Sequence, residues 1–258
     1  MPVPSPPGLR SGGGRMSADT STAVTVARAA TSFPGSEGPE RMPDTRHVVL
    51  VRHGESEANA GAATDDAVSC GLTARGQRQA RAVAAWLEPA PDLIVVSSYL
   101  RARETAQETC QRFPGARVEE WPVHEFHYLG SDAYRGTSAR QRRPARDDYW
   151  RALDPERVCE PGAESFAAFL SRVRAVRERL ESAPEPRIVV FGHKKFIHAL
   201  LWSWTERHPA ADADAMARFR AYDRAERLPN GAAVDVELRG GTPCVGAVLT
   251  PYQAQEAD

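Results

Sequence analysis

Three short apolar runs of the sequence are each followed by side chains that can bind an anion. Arg52 and His53 come directly after HVVLV, Arg101 lies shortly after DLIVV, and His193 follows RIVVF. Arginine presents a planar fork of donors suited to oxyanions, and imidazole can act as a nucleophile, a donor or an acid–base group. Any one of these residues alone is more often a surface or helix-capping residue. Because they follow successive runs, with Gly54 beside one histidine, the sequence predicts an anion-binding site.

The same runs predict the strands that position these side chains. Residues 47–51, 92–96 and 187–191 are rich in β-branched residues, as in strands buried on both faces. Helical patterns occupy residues 73–87, 100–112, 163–180 and the segment after His193. This alternation predicts an α/β fold with a mostly parallel central sheet and helices on both faces. Because ligands bind at the carboxyl ends of such strands, we expect the arginines and histidines to meet there.

The first 45 residues differ in composition from the rest of the chain. They contain 13 Gly and Pro residues, against 26 in the remaining 213, and such enrichment is typical of disorder. We therefore expect a disordered tail over 1–45, with Met42 as an alternative start, and one folded domain over 46–258. Near the end of that domain, the runs at 232–238 and 244–249 predict a terminal hairpin.

Composition excludes several classes of function. The 258-residue chain has 33 basic and 34 acidic residues and a formal net charge of −1, so a nucleic-acid partner is not expected. It has no apolar run of about 18 residues and no segment typical of a secretory signal, so no membrane partner is expected. Four cysteines, Cys70, Cys110, Cys159 and Cys244, lack metal or redox-motif spacing. Unpaired thiols in a reducing cytosol are the simplest interpretation, and we expect a cytoplasmic protein.

One segment is recognisable as a family signature. VRHGESEAN (51–59) resembles the R-H-G-[ES]-[ST]-x-x-N pattern of the histidine phosphatase superfamily, also called the phosphoglycerate mutase-like family. Similar blocks follow in the family's order: LTARGQRQA (72–80), SSYLRARETA (97–106), PGAESF (161–166), VVFGH (189–193) and LPNGAAVDV (228–236). The resemblance covers residues 46–240 and implies a three-layer α/β sandwich of the phosphoglycerate mutase-like fold.

The resemblance implies a role for each residue of the predicted anion site. His53 attacks phosphorus and becomes the phosphohistidine intermediate, while the phosphoryl oxygens are bound by Arg52, Arg101 and His193, with Asn59 as an additional donor. Two guanidinium groups and an imidazole can stabilise the transferring group without a metal ion. The resemblance therefore implies no cofactor and no metal, and the expected partner is a small phosphorylated substrate.

The resemblance also implies a general acid, because a leaving alkoxide needs a proton. The family carries this acid after the third of its blocks, where Glu125 lies within WPVHEFHYLG (121–130). The alternative is that Glu125 is a surface residue. Glu119 and Glu120 are less suitable because they lie at the end of an apparent strand. The letters HEFH around Glu125 lack the HExxH spacing of zinc proteases, so no metal site is expected there.

Two departures from the family pattern bear on the choice between a phosphatase and a mutase. Residues 60–71 lack the stretch that mutases carry after the first signature, and His193 is followed by Lys194 where the family often has glycine. A phosphomonoester hydrolase is therefore the leading interpretation. Phosphoglycerate mutase-type transfer and a non-catalytic phospholigand-binding module remain alternatives.

Two groups of basic residues carry hypotheses about the substrate. Lysine occurs only at Lys194 and Lys195, against 31 arginines, and we expect Lys194 to line the pocket rim and contact substrate. The Arg-rich insertion at 123–160 is expected to lie over the carboxyl edge of the sheet or to extend into solvent. Either its arginines form a solvated face, or one or two of them reach over the pocket and select an anionic substrate.

Overall fold

The structure describes two stretches of the chain. It is a computed structural model, and the described residues are 45–206 and 209–255. Except for Thr45, the predicted tail over 1–45 and the alternative start at Met42 lie outside the described residues. The first strand begins at Thr45, one residue before the predicted start of the folded domain.

Strands and helices alternate along most of the described chain. The strands are β1 (Thr45–Arg52), β2 (Leu93–Val96), β3 (Arg117–Glu120), β4 (Arg187–Gly192), β5 (Ala233–Arg239) and β6 (Thr242–Leu249). The helices are α1 (Ala74–Trp86), α2 (Leu100–Arg112), α3 (Ser131–Tyr134), α4 (Arg143–Ala152), α5 (Phe166–Ser182), α6 (Lys194–Thr205), α7 (Ala213–Ala225) and α8 (Pro251–Gln255). Four of these helices, α3, α4, α7 and α8, were not predicted. No helix in the described stretches is long and apolar enough to cross a membrane.

The strands form one sheet in the order β3-β2-β4-β1-β5-β6. The pairs β3–β2, β2–β4 and β4–β1 are parallel, whereas β5 runs antiparallel to β1 and β6 runs antiparallel to β5. The mostly parallel sheet and the terminal hairpin are therefore confirmed. The strands β2, β4 and β1 are neighbours, so the three strand ends that carry the predicted site residues lie side by side.

Alternate residues of the central strands pack on opposite faces of the sheet. On β1, Val48 and Leu50 belong to one core cluster, together with apolar residues of α5, α6 and α7. Val49 and Val51 belong to a second cluster with residues of α1 and α2. Helices thus cover both faces, which explains why the strand sequences are apolar at consecutive positions. Burying each such side chain stabilises the fold by about 1.5–3 kcal/mol.

Side-chain caps set where α1 and α5 begin. The hydroxyl of Thr73 accepts from the Gly76 N–H at 3.1 Å and starts α1. The Ser165 hydroxyl accepts from the Ala168 N–H at 3.1 Å, so α5 begins at Phe166. The helix predicted from residue 163 therefore starts three residues too early, because the capping serine holds extended backbone.

The insertion at 123–160 contributes to the core rather than trailing into solvent. Tyr149 and Trp150 on α4 are buried, and both rings pack against Phe126 at centroid distances of 5.9 and 6.0 Å. Phe126 in turn stacks on Phe169 of α5 at 4.3 Å. These aromatic contacts hold the insertion against the helical layer and place its first residues at the carboxyl edge of the sheet.

Candidate active site

The nucleophile predicted from the sequence, His53, follows the last residue of β1. Its backbone N–H donates to the carbonyl oxygen of Gly192 at 3.0 Å, so the β1–β4 ladder continues to this residue. The next residue must be glycine, because a Cβ on Gly54 would lie 2.5 Å from the carbonyl oxygen of Gly76. This close approach brings α1 against the turn and leaves His53 only 4% exposed.

Two contacts assign the protonation of the His53 ring. Its Nδ1 lies 2.7 Å from the carbonyl oxygen of Gly54, so Nδ1 carries the proton and donates. The Arg101 Nε–H donates to His53 Nε2 at 3.2 Å, which requires a lone pair on Nε2. Burial lowers the pKa of His53 well below its usual 6.5, and the charges of Arg101 and Arg52 lower it further. The ring is therefore a neutral imidazole with its nucleophilic nitrogen on the side of Arg101.

Arg101 lies at the second position of α2, and its guanidinium is fixed by several contacts. Its Nη1 donates to the carbonyl oxygen of Ala67 at 2.7 Å, and the guanidinium lies 5.0 Å above the Tyr99 ring. The Thr105 hydroxyl donates to the Arg101 carbonyl at 2.6 Å and accepts from the Gly54 N–H at 3.0 Å. Thr105 therefore links the first turn of α2 to the glycine beside His53.

Arg52 and His193 each present a buried nitrogen without a partner among the described residues. Arg52 donates through Nη1 to the Leu228 carbonyl at 2.6 Å, and its Nε has no acceptor there. His193 caps α6, and its ring centroid lies 5.0 Å from that of His53. The His193 Nδ1 is likewise buried and unpaired.

Ser97, which directly follows β2, forms a hydrogen bond with the His193 ring. The Ser97 hydroxyl oxygen accepts from the Tyr99 N–H at 3.3 Å and lies 2.8 Å from His193 Nε2. In the tautomer in which the Ser97 hydroxyl donates to Nε2, the ring proton lies on the unpaired Nδ1 and can be given to a ligand. In the sequence, Ser97 was identified only as the first residue of the block at 97–106, and its contact with His193 was not predicted.

The unpaired donors indicate what the site binds. A buried polar group left without a partner costs about 1–3 kcal/mol, so native proteins rarely keep two of them together. Arg52 Nε–H and the remaining Nη2 of Arg101 are donors, and His193 Nδ1 is a donor in the tautomer in which Ser97 donates to Nε2. An oxyanion bound beside His53 would satisfy these donors.

The predicted general acid, Glu125, lies in the same cleft as His53, Arg52 and Arg101. Its Oε1 accepts from the Lys195 N–H at 3.1 Å, in the first turn of α6, and from the Phe126 N–H at 3.0 Å. Burial lowers the pKa of both arginines, and the Glu125 charge raises it against that effect. Four of the five residues predicted to carry the chemistry thus line this cleft, and the fifth, His193, is fully buried with its ring centroid 5.0 Å from that of His53.

The chain can be placed in a family by comparison with known proteins. Residues 48–223 match the family model described as the histidine phosphatase superfamily, branch 1. The chain belongs to the histidine phosphatase superfamily. The resemblance drawn from the sequence blocks is thereby confirmed. A search of curated proteins finds no match.

Solved structures show the same fold as this histidine phosphatase superfamily member. A putative alpha-ribazole-5'-P phosphatase from Escherichia coli is 22% identical with a TM-score of 0.63, covering 80% of this chain and 97% of that one. A phosphoserine phosphatase mutant from Entamoeba histolytica with phosphoserine is 18% identical with a TM-score of 0.59, covering 80% and 98%. A mycobacterial glucosyl-3-phosphoglycerate phosphatase is 24% identical with a TM-score of 0.56, covering 75% and 90%.

Asn59 and Lys194 were also predicted to belong to the site of this superfamily member, and only Asn59 lines the cleft. Asn59 lines the cleft, and its Oδ1 accepts from the Ser56 hydroxyl at 3.1 Å and from Asn230 Nδ2 at 2.9 Å. Lys194 does not line the cleft, contrary to the expectation. Its Nζ donates to the Asp223 carbonyl at 2.9 Å and lies 3.6 Å from the Asp223 carboxylate. The lysine that lines the cleft is Lys195.

The insertion closes one side of the cleft of this histidine phosphatase superfamily member. Two arginines of the insertion, Arg142 and Arg146, line the cleft. Four others do not: Arg135, Arg140, Arg143 and Arg151. The loop that precedes α1 meets the insertion through the Thr64 N–H, which donates to the Thr137 carbonyl at 3.0 Å. The cavity enclosed by these segments measures about 220 Å³.

The histidines on either side of Glu125 contact different aromatic rings. His124 stacks on Tyr99 at 5.6 Å, and His127 stacks on Tyr134 at 5.4 Å. Within residues 45–206 and 209–255, no group of three His, Cys, Asp or Glu side chains is placed to hold a metal ion.

We expect the His53 ring to remain neutral at pH 6, where a histidine with the usual pKa of 6.5 is mostly protonated. Its pKa is lowered, so protonation occurs only when the pH falls below the usual range. Nitrogen-15 NMR of the free protein, with the resonance assigned by its loss in His53→Ala, should show the Nδ1–H tautomer. An imidazolium signal from His53 at pH 6 would contradict the assigned geometry.

Proposed function

We propose that this protein is a phosphomonoester hydrolase that acts through a phosphohistidine intermediate on His53. One observation carries the proposal: a neutral imidazole with its lone pair on Nε2 lies among buried donors that have no partner of their own. A phosphoryl group bound in line with Nε2 would occupy these donors. A bare binding site has no need of a deprotonated nucleophilic nitrogen at its centre.

In the first step, the Arg101 Nε–H turns from His53 Nε2 to a phosphoryl oxygen, the freed Nε2 lone pair attacks phosphorus, and the bond to the ester oxygen breaks. Arg52, Arg101 and His193 stabilise the charge on the three other oxygens during the transfer. Glu125 gives a proton to the departing alkoxide, so the product leaves as a neutral alcohol. Asn59 acts as a further donor to the phosphoryl group through its Nδ2, a role supported by its position in the cleft and by the use of its Oδ1 to accept from Ser56.

In the second step, water attacks the phosphorus of the phosphohistidine. Glu125, now a carboxylate, takes a proton from that water, and the bond between phosphorus and Nε2 breaks. Inorganic phosphate is released and the neutral His53 is restored. The Gly54 carbonyl keeps Nδ1 protonated through both steps, so the nucleophilic nitrogen is always Nε2.

Permanently charged arginines supply the electrostatic stabilisation in this scheme, so it requires no metal ion. The proposed substrates are small phosphorylated molecules. The titles of the solved relatives name alpha-ribazole-5'-P, phosphoserine and glucosyl-3-phosphoglycerate phosphatases. A direct test is hydrolysis of para-nitrophenyl phosphate in the presence of a strong chelator. The proposal expects turnover with no loss on chelation, whereas activity that depends on added metal would contradict the scheme.

We expect Glu125→Gln to slow the hydrolysis of esters with poor leaving groups far more than that of para-nitrophenyl phosphate. An alkoxide needs the proton and nitrophenolate does not, so kcat/KM for an alkyl phosphate should fall about 10²–10⁴-fold. Glutamine keeps the carbonyl oxygen that accepts from Lys195 and Phe126. The values of kcat/KM on the two esters measure the effect, because they report the phosphorylation step and not the hydrolysis of the phosphohistidine that both esters share.

Glu120→Gln is the matched control for this prediction. Glu120 is exposed at the end of β3, five residues from Glu125 in the sequence. The control should leave both rates unchanged. Equal losses on the two esters in Glu125→Gln would show that Glu125 does not protonate the leaving group.

A further inference from the structure

The walls of the cleft carry more positive charge than a phosphoryl group balances. Five cationic side chains line it, namely Arg52, Arg101, Arg142, Arg146 and Lys195. Two carboxylates line it, Asp66 and Glu125. A phosphomonoester carries a charge of about −1.5 to −2 at neutral pH. The remaining positive charge lies on the insertion and on α6, away from the arginines that hold the phosphoryl group.

The two carboxylates do not neutralise the arginines of the insertion. Asp66 accepts through Oδ1 from the backbone N–H groups of Val68 and Ser69, each at 2.6 Å, so it is turned into its own loop. Glu125 accepts from the Lys195 N–H. Neither carboxylate forms an ion pair with Arg142 or Arg146 within the described stretches of chain.

Arg142 is held rigidly at the cleft wall. Its Nη1 donates to the Thr137 carbonyl, to the Thr137 hydroxyl at 2.9 Å and to the Thr64 hydroxyl at 3.3 Å. The guanidinium lies 4.3 Å above the Tyr134 ring, which also lines the cleft. These contacts orient the fork while using only one of its nitrogens, so Nε and Nη2 remain available to a ligand.

Arg146 lies one helical turn further along α4, on the same face as Arg142. Its only ion pair in the described chain is with Asp147, at 3.3 Å. That carboxylate is shared with Arg143 at 3.6 Å and with Arg220 at 3.9 Å. Asp147 is partly exposed, and of its three arginine neighbours only Arg220 has a second carboxylate nearby in the described stretches, Asp223 at 3.8 Å, so Arg143 and Arg146 share one negative charge.

We propose that Arg142 and Arg146 form a second anion subsite, and that the substrate is a small phosphomonoester whose leaving group carries a second anionic group. The inference rests on the proposed function, because the phosphoryl group is taken to lie at His53. The cavity of about 220 Å³ is smaller than the roughly 300–1,000 Å³ of sites for drug-sized ligands. A small leaving group therefore fits the cleft that His53 shares with Arg142 and Arg146, and a carboxylate or a second phosphate supplies the charge.

A matched pair of substrates tests the subsite. Phosphoglycolate and 2-hydroxyethyl phosphate have similar size and differ in one carboxylate. We expect kcat/KM to be about tenfold or more higher for phosphoglycolate, as a charge-assisted hydrogen bond allows. The bisphosphate of ethylene glycol forms a third arm, and whichever charged ester gains more identifies the second group. Equal kcat/KM for the neutral and both charged esters would overturn the inference.

Variants assign the preference to the two arginines. Arg146→Gln should reduce the ratio of kcat/KM between the charged and neutral esters by about tenfold, and Arg142→Gln should do the same. Arg146 is the cleaner position because its side chain has one partner in the described chain. Arg143→Gln is the matched control: it lies on the same helix, is 72% exposed and does not line the cleft. A ratio unchanged in both cleft variants would overturn the assignment.

Binding separates this inference from the proposed function. Calorimetry on His53→Ala, which has no nucleophile, measures the affinity for phosphoglycolate and 2-hydroxyethyl phosphate without turnover. Tighter binding of phosphoglycolate, lost in His53→Ala combined with Arg146→Gln, supports the subsite even if the wild type hydrolyses neither ester. Hydrolysis of both esters with equal affinities leaves the proposed function intact and rejects the subsite.

Discussion

His53→Ala is expected to lower kcat for phosphomonoester hydrolysis by at least about 10⁴-fold, because it removes the atom that forms the covalent intermediate. Among the described residues, the other buried imidazoles have fixed partners: Ser97 lies 2.8 Å from the Nε2 of His193, and Asp223 lies 2.9 Å from the Nδ1 of His198. Burst and steady-state kinetics with para-nitrophenyl phosphate measure the loss.

His47→Ala is the matched control for the loss of His53. His47 lies on the same strand, six residues earlier and at the opposite end of the sheet. The control should retain wild-type turnover, and circular dichroism should show both variants folded. A His53→Ala variant that kept comparable activity would mean that His53 is not the nucleophile.

Arg101→Lys is expected to lower kcat/KM by about 10²–10³-fold although the charge is conserved. Lysine cannot donate to His53 Nε2 and to Ala67 while presenting a further donor to the phosphoryl group, and it loses the planar contact with Tyr99. The effect depends on geometry, so it should appear with every phosphomonoester. Steady-state kinetics on an aryl and an alkyl phosphate measure it.

Arg103→Lys provides the comparison for this substitution. Arg103 is exposed on the same helix and does not line the cleft. Its replacement should leave kcat/KM unchanged. If Arg101→Lys stayed within about threefold of the wild type, the bidentate role assigned to Arg101 would be wrong.

The central sheet and the cluster of arginines and histidines at its edge were predictable because both depend on local signals. Val48 to Val51 are apolar at every position, which marks a strand covered on both faces. Arg52, His53 and His193 lie within two residues of such strands, so placing the strands also placed these side chains.

Positions set by tertiary contacts were not predictable. Lys194 and Lys195 are adjacent in sequence, but consecutive helical residues point in directions about 100° apart. Asp223 on α7 binds the first of them and leaves the second facing the cleft. Sequence order alone cannot distinguish the two, because α7 was not predicted.

The contact between Ser97 and His193 and the position of the arginines of the insertion also depend on tertiary contacts, so neither was predicted. Ser97 is 96 residues from His193 in the sequence, and only the pairing of β2 with β4 brings them together. Arg142 and Arg146 have helical i, i+4 spacing, which would have placed them on one face had α4 been predicted.

Trapping the phosphorylated enzyme tests the phosphohistidine mechanism most directly. Wild-type protein is mixed with a radiolabelled aryl phosphate, quenched with alkaline detergent within milliseconds, digested and mapped by mass spectrometry. We predict an acid-labile, alkali-stable label on His53 that forms and decays at rates compatible with turnover, and no label in His53→Ala. Turnover with no label on His53, or with the label on a different residue, would contradict the phosphohistidine mechanism.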